Sequence, residues 1–193
     1  MQKHVLIIQG HPDATKQHFC HAIASAYKNG ARNRNCSVKR INVARLDFLI
    51  LHIQEEFETG TLIDDIKNAQ NDIHWADQIV IIYPLWLGTM PALLKGFFEQ
   101  TFRYGFATSN EAKKMPKKLL KGKSARVIIT MGMPAFIYKW FFRAHSLKSL
   151  QRNILGISGI KPVKHCLIGT VDSSGVKREK WLKKIQALGQ HAI

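Results

Sequence analysis

Three short stretches hold the side chains that could do chemistry. The first, "GHPDATKQHF" (10–19), collects His11, Thr15, Lys16 and His18 between an apolar run and a helical pattern. An anion placed there meets these donors, the unpaired first N–H groups of a helix and the positive end of its dipole. The stretch is neither GxGxxG nor GxxxxGK[ST], so a Rossmann dinucleotide turn and a P-loop are both disfavoured. In the second stretch, "YPLWLGTMP" (83–91), Pro84 stops a strand ladder, Thr89 can cap a helix and Pro91 suits its first turn. Leu85, Trp86, Leu87 and Gly88 are left as apolar surface with accessible amides, a match for a flat heterocycle with hydrogen-bonding edges. The third, "TMGMP" (130–134), precedes Phe136, Tyr138, Trp140, Phe141 and Phe142, more aromatics than one buried helical stripe needs. The excess belongs to a pocket lining or a subunit interface. Tyr138 and His145, seven residues apart, share one face of a continuous helix, where a phenol and an imidazole can pass a proton. Each stretch alone also has an ordinary reading: Pro12 and Asp13 as turn formers, Trp86 and the tyrosine–histidine pair as packing groups.

Apolar runs and helical patterns alternate along the chain, and this alternation must position the three stretches. Strands are expected at 4–10, 37–43, 78–84, 125–132 and 163–169, with helices at about 18–32, 61–75, 91–103, 136–150 and 175–188. Runs that are apolar throughout belong in a parallel sheet covered on both faces. Right-handed crossovers then give an α/β, three-layer sandwich with a five-stranded parallel sheet in order 2-1-3-4-5. No linker or repeat interrupts residues 1–193, so one domain is expected. In such sheets ligands sit beyond the carboxyl ends of the strands, where the winding reverses, and the three stretches are the loops found there.

Composition narrows the classes. Lys+Arg 29 against Asp+Glu 13 gives a net charge of +16, a field that attracts anions. The lysine cluster from Lys113 to Lys123 contains no interleaved aromatics, so nucleic acid is disfavoured and a solvated connector is the simpler reading. Cys20, Cys36 and Cys166 are odd in number and contain no CxxC pair, which favours free thiols in a cytoplasmic protein over a disulfide scaffold or a metal site. No apolar run reaches membrane-spanning length, and no signal peptide is expected.

Taken together, "GHPDATKQHFCHAI", "YPLWLGTMPALLKGFFEQ" and "TMGMP" with the tyrosine and histidine beyond it resemble the flavodoxin-fold NAD(P)H:quinone oxidoreductases, the DT-diaphorase-like family, in its compact bacterial form. The middle segment is the most specific of the three. The resemblance implies a flavin, FAD or FMN, held at the strand ends. His11, His18, Phe19 and Cys20 match the segment that wraps the phosphate, with His18 and Cys20 replacing a common serine and asparagine. Leu85, Trp86, Leu87 and Gly88, following Pro84, match the loop along the isoalloxazine edge. Thr130, Met131, Gly132 and Met133 match a loop usually richer in glycine. Tyr138 matches the family tyrosine beside the flavin, and His145 falls one position off the family histidine. Implied with these are NADPH or NADH as hydride donor, a quinone as acceptor in a two-step exchange and a homodimer. Rival readings are an ancillary subunit regulating a membrane transporter, consistent with peripheral contact at an acidic membrane surface, and a one-electron flavodoxin carrier.

Overall fold

The computed structural model describes residues 2–109, 116–171 and 175–192. Strands β1 (His4–Gln9), β2 (Ser37–Asn42), β3 (Gln78–Pro84), β4 (Ser124–Thr130) and β5 (Val163–Ile168) form one parallel sheet in the order β2-β1-β3-β4-β5. The order is the one expected from the alternation of elements. β3 is buried at every position, as a continuous apolar run must be at the centre of a sheet covered on both faces. Its alternate side chains divide the core. Ile79, Ile81 and Tyr83 enter one layer with Leu6, Ile8, Val127 and Ile129, while Val80 and Ile82 enter the other with Val5, Ile7 and Ile128.

Helices α3 (Asp64–Trp75) and α4 (Ala92–Thr101) supply Ile66, Ile73, Leu94 and Phe97 to the first layer. Helices α1 (Phe19–Arg32) and α7 (Gly175–Gln190) supply Ile23, Tyr27 and Ile185 to the second. The chain therefore has the flavodoxin-like three-layer architecture. α1 and α7 meet through glycines: a Cβ on Gly30 would lie 2.0 Å from the Gln186 carbonyl oxygen, and one on Gly189 would lie 2.4 Å from that of Tyr27. Since backbone cannot swing aside as a side chain can, Gly30→Ala is expected to cost about 1–3 kcal/mol through overpacking. A thermal midpoint equal to wild type would show that the two helices separate freely.

The expected continuous helix at 136–150 is not formed. α5 (Ala135–Trp140) ends, and the chain passes through Arg143 at φ 52° and Ala144 at φ 47° before α6 (His145–Ser149), which runs on as a π-helical turn over Leu150–Gly156. The Ile137 carbonyl accepts the N–H groups of both Phe141 and Phe142, and the Tyr138 carbonyl accepts that of Ala144, which closes the helix end. Tyr138 and His145 consequently do not share one helical face. Two further elements, the 3₁₀ turn Val43–Arg45 and the short helix α2 (Gln54–Glu58), fall between the expected second strand and second helix.

Candidate functional site

Hydrogen bonds between loop and sheet bring the three stretches together. Gly10 donates its N–H to Ile82 at 2.8 Å, and Leu85 donates to Thr130 at 2.7 Å, so the loops after β1, β3 and β4 leave the sheet side by side. The winding direction reverses between β1 and β3.

The loop after β1 is built around Asp13 and a group of histidines. Asp13 Oδ1 accepts the N–H and the hydroxyl of Thr15 at 2.7 and 2.6 Å, and Oδ2 lies 2.6 Å from His18 Nε2. These bonds hold the Asp13 carboxyl well below its usual range. Thr15, read from the sequence as a hydroxyl donor to an anion, thus donates its hydroxyl hydrogen bond to Asp13. His11 and His18 stack with ring centroids 3.9 Å apart, and His21 lies 5.5 Å from His11. His18 occupies the N-cap of α1, and the first-turn N–H groups of Phe19 and Cys20 have no intrahelical acceptor. The Cys20 side chain turns away from this surface. It is buried against Thr130 Oγ1 at 3.2 Å, and burial pushes its thiol up to about 12. A cysteine so placed is inert, and only its backbone can serve a ligand.

Trp86 and Thr89 close the loop after β3 by exchanging two backbone hydrogen bonds of 2.9 Å. Between them stand Leu87 at φ 46° and Gly88 at φ 80°, the conformation of a type I′ turn. The N–H groups of these two residues lie outside the turn's own pair of bonds. A left-handed leucine costs about 1–2 kcal/mol, yet the Leu87 side chain is fully exposed and Trp86 is half exposed. Pro84 is buried and Leu85 half-buried against the core. The edge of Trp86 faces His11, with centroids 6.1 Å apart, so the first two loops touch.

In the loop after β4, Thr130 and Met131 are buried, Gly132 is exposed and Met133 is half-buried. Tyr138 lies inside the core at 0 % exposure. Its hydroxyl is 2.6 Å from Ser146 Oγ and accepts the Leu147 N–H at 3.1 Å. His145 is exposed, with Nδ1 3.0 Å from the Phe142 carbonyl oxygen, and its ring would lie 3.8 Å from a Cβ on Gly88. The imidazole therefore reaches the Trp86 loop while the phenol does not surface beside it. Of the lysine cluster, Lys113 and Lys114 lie outside the described residues. Lys117, Lys118 and Lys121 are exposed, and Lys123 donates to the His74 and Ala76 carbonyls at 2.7 Å.

Sequence reasoning missed His21, Gln9, Arg40 and Asn42. His21 stands three residues after the N-cap, the position from which a side chain reaches back to the cap N–H, and that spacing was available as a signal. Gln9 and Asn42 are register partners at the ends of β1 and β2, and Gln9 Nε2, Asn42 Oδ1 and Arg40 Nε are buried without partners. Among the described residues no cluster of histidine, cysteine or carboxylate side chains is arranged to hold a metal ion. No helix among them is long and apolar enough to cross a membrane.

The chain belongs to the flavodoxin-like fold family, whose model matches residues 3–192. It is 29 % identical over 186 residues to an uncharacterized NAD(P)H oxidoreductase of Haemophilus influenzae, covering 94 % of this chain and 91 % of that one. The NAD(P)H:quinone oxidoreductase from Methanothermobacter marburgensis superposes with a TM-score of 0.81 at 25 % identity, covering 99 % of this chain and 97 % of the other. An FMN-dependent NADH-azoreductase from Bacillus anthracis, solved in complex with FMN, superposes with a TM-score of 0.72 over 100 % of both chains. At 15 % identity that likeness is one of fold.

The residues present fit a flavin. The α1 N-terminus and the histidines suit its phosphate, the orphaned amide of Gln9 calls for an acceptor at that end, and the Leu87–Gly88 amides, outside the turn's own pair of bonds, suit a polar ring edge.

Proposed function

We propose that the chain is a flavin-dependent NAD(P)H:quinone oxidoreductase. The observation that carries this reading is the strained turn at Leu87 and Gly88, which presents two amides and an exposed leucine beside the N-terminus of α1, at the switch point of the sheet. The names of the Haemophilus and Methanothermobacter relatives support the reaction class. A flavin held here would supply two-electron chemistry between NADPH or NADH as hydride donor and a quinone as acceptor. The chain's residues do the rest. The first-turn N–H groups of Phe19 and Cys20 would hold its phosphate, and the amides of Leu87 and Gly88 would offer donors to the ring system as negative charge develops on it. Trp86 and Leu87 form an apolar wall that excludes water, and His145, against the Gly88 turn, holds a proton for the quinone oxygen. Either FAD or FMN satisfies this site, and the FMN of the Bacillus anthracis neighbour makes FMN the first to try. The +16 field favours the extra phosphate of NADPH over NADH.

Two copies about a twofold axis complete the reading. Residues 47–65 carry six carboxylates and no lysine or arginine, and expose Leu49, Ile50 and Ile63 along a cleft of about 770 Å³ that is also lined by Arg103. Residues 135–149 carry Lys139, Arg143 and Lys148 with no carboxylate, and expose Phe136, Trp140 and Phe141. A twofold operator sets each of these surfaces against the other's copy, matching charge and apolar area at once. Light scattering at tens of micromolar is expected to give a dimer, and a stable monomer would remove this part of the proposal.

The test of the enzyme reading is an absorbance spectrum of protein saturated with FMN or FAD, followed by bleaching with NADPH and recovery with a quinone. Failure to bind either flavin would end it. One observation favours the ancillary-subunit reading instead: residues 112–171 contain thirteen lysines and arginines and no carboxylate. Salt-sensitive retention by an acidic membrane partner, together with feeble turnover, would select that reading.

A further inference from the structure

The net charge of the chain is not spread over the molecule. Residues 1–111 carry eleven lysines and arginines against eleven carboxylates, and residues 112–193 carry eighteen against two, so the whole +16 lies in the second part. That part begins after α4 and supplies β4, β5 and the helices that follow each of them. Because the sheet order is β2-β1-β3-β4-β5, a division along the chain becomes a division across the fold, with a neutral β2 edge and a basic β5 edge. Charge segregated in this way points to an anionic partner on one side of the molecule.

Much of the charge has a local use. Lys123 is bonded to two carbonyl groups, Arg126 is buried, and Arg178 lies over Phe19 and donates to the Val171 carbonyl at 2.8 Å. Lys139, Arg143 and Lys148 belong to the surface proposed to meet a second copy. The outer side of α7 has no such use. Ile185 and Gly189 turn inward, while Lys177, Lys180, Lys183 and Lys184 are exposed. Steps of three, four and seven residues put Lys177, Lys180 and Lys184 on one side of the helix. On β5, Cys166 and Ile168 point into the layer that α7 covers, so the exposed Lys164, two residues earlier, points the same way. Burial pushes the Cys166 thiol up and Lys184 opposes this, which sets the helix lysines beside that strand. Among the described residues none of these five lysines is ion-paired, and Glu179, one turn before Lys183, is the one carboxylate described between 116 and 192.

We infer that the outer face of α7, with Lys164 of β5, is a docking surface for an anionic lipid bilayer. A helix lying beside a sheet edge presents charge outward to a flat partner. Lysine places a hydrated point charge on a flexible stem, which follows mobile headgroups, whereas fixed bidentate recognition of phosphate belongs to arginine. Trp181 is half-buried with the Lys184 ammonium 4.7 Å from its ring centroid, so this face offers no bare ring on which a nucleic-acid base could stack. Val176, 63 % exposed in the first turn of α7, adds an apolar contact at one end. Since α7 follows β5, that end lies toward the carboxyl edge of the sheet, where the candidate site stands. A protein docked by this face holds the site beside the bilayer, in which lipid-soluble quinones dissolve. That consequence rests on the oxidoreductase reading; the docking itself does not.

Each lysine close to an anionic leaflet raises partitioning about fivefold. The attraction reaches about 10 Å at 0.1 M salt and about 3 Å at 1 M. The experiment sediments the full chain with phosphatidylcholine vesicles, with and without about one-third phosphatidylserine, at about 0.1 M salt. Binding is expected only with phosphatidylserine and is lost at about 1 M salt. Lys177→Gln, Lys180→Gln and Lys184→Gln together should lower partitioning roughly a hundredfold. A control triple with the same loss of charge, Lys118→Gln, Lys121→Gln and Lys161→Gln, alters lysines beside Gly159 and Gly156, within the stretch that favours the ancillary-subunit reading. It should lower partitioning by less than about threefold, because charges beyond the screening length add little. Both triples should keep the wild-type thermal midpoint and flavin uptake. The α7 triple should also reduce a vesicle-borne quinone more slowly than wild type, and a water-soluble quinone at the wild-type rate. Equal losses in the two triples would place the attraction in overall charge and overturn the face. Binding to vesicles without phosphatidylserine would overturn it too, and release from the vesicles by duplex DNA at equal phosphate concentration would assign the face to nucleic acid. A protein that takes up no flavin yet loses vesicle binding only in the α7 triple would end the oxidoreductase reading and support the docking surface.

Discussion

Gly88→Val should cost about a hundredfold or more in quinone reduction and most of the flavin affinity, with little change in the thermal midpoint of the folded core. The cause is conformation and not crowding. The nearest atoms to a Cβ at this position are those of the His145 ring at 3.8 Å, an ordinary contact. At φ 80°, however, a β-branched residue is an outlier, and it follows Leu87, which already stands at φ 46°. Relaxation of the turn is expected to break the paired bonds between Trp86 and Thr89, turn the Leu87 and Gly88 amides away from the ring edge and pull Trp86 from His11. Losing a preset donor in a dry site costs about 2.7–4 kcal/mol of transition-state stabilisation, a factor of 10²–10³. Asparagine tolerates the left-handed region, so Gly88→Asn should keep the turn and most of the activity. Flavin content and kcat/KM of the two variants, measured together, decide the matter. If valine is as good as asparagine, the turn geometry plays no part in catalysis.

The sheet was legible because its signal is local. Runs such as QIVIIYP are apolar on both sides, and only a covered parallel sheet satisfies them; strand order then follows from the handedness of crossovers. The placement of the three loops was legible for the same reason, since they follow those runs. Side-chain roles within them were not. Thr15 stands two residues after Asp13, a spacing that satisfies its hydroxyl within the turn, so the residue type suggested a donor that the geometry consumes. Cys20 falls on the buried stripe of α1, where its position along the chain gave no sign of which way the thiol points. The break after Trp140 depends on two left-handed residues, Arg143 and Ala144, neither of them a glycine. Bonds back to the Ile137 and Tyr138 carbonyls impose that conformation, and helical periodicity cannot show it. Arg40, Gln9 and Asn42 read as ordinary strand residues, and only the sheet register brings their unsatisfied atoms to one end.

That break divides the roles of the tyrosine and the histidine, and two substitutions should separate them. The Tyr138 phenol is enclosed with Ser146 and the Leu147 N–H, so Tyr138→Phe leaves two buried polar groups unpaired and is expected to destabilise the fold by about 1–3 kcal/mol. A group with no exposed surface has no direct route to a substrate. The expected changes in flavin reduction and reoxidation are therefore small and arise through displacement of α6, which carries His145. His145→Gln should behave in the opposite way. Its ring is exposed against the Gly88 turn, and a Nδ1–H donated to the Phe142 carbonyl leaves Nε2 toward the loop as the atom able to hold a transferable proton. Glutamine keeps the size and the hydrogen bonding but cannot transfer a proton. The loss should be roughly ten- to a hundredfold, near the lower end of general acid catalysis, and confined to the quinone half-reaction. Stopped-flow bleaching by NADPH and separate reoxidation by a quinone measure the two halves, while thermal unfolding measures the cost in stability. A Tyr138→Phe protein of unchanged stability and tenfold slower bleaching would put the phenol back at the reacting atoms. Wild-type reoxidation in His145→Gln would leave proton delivery to water and reduce the imidazole to a prop for the Trp86 loop.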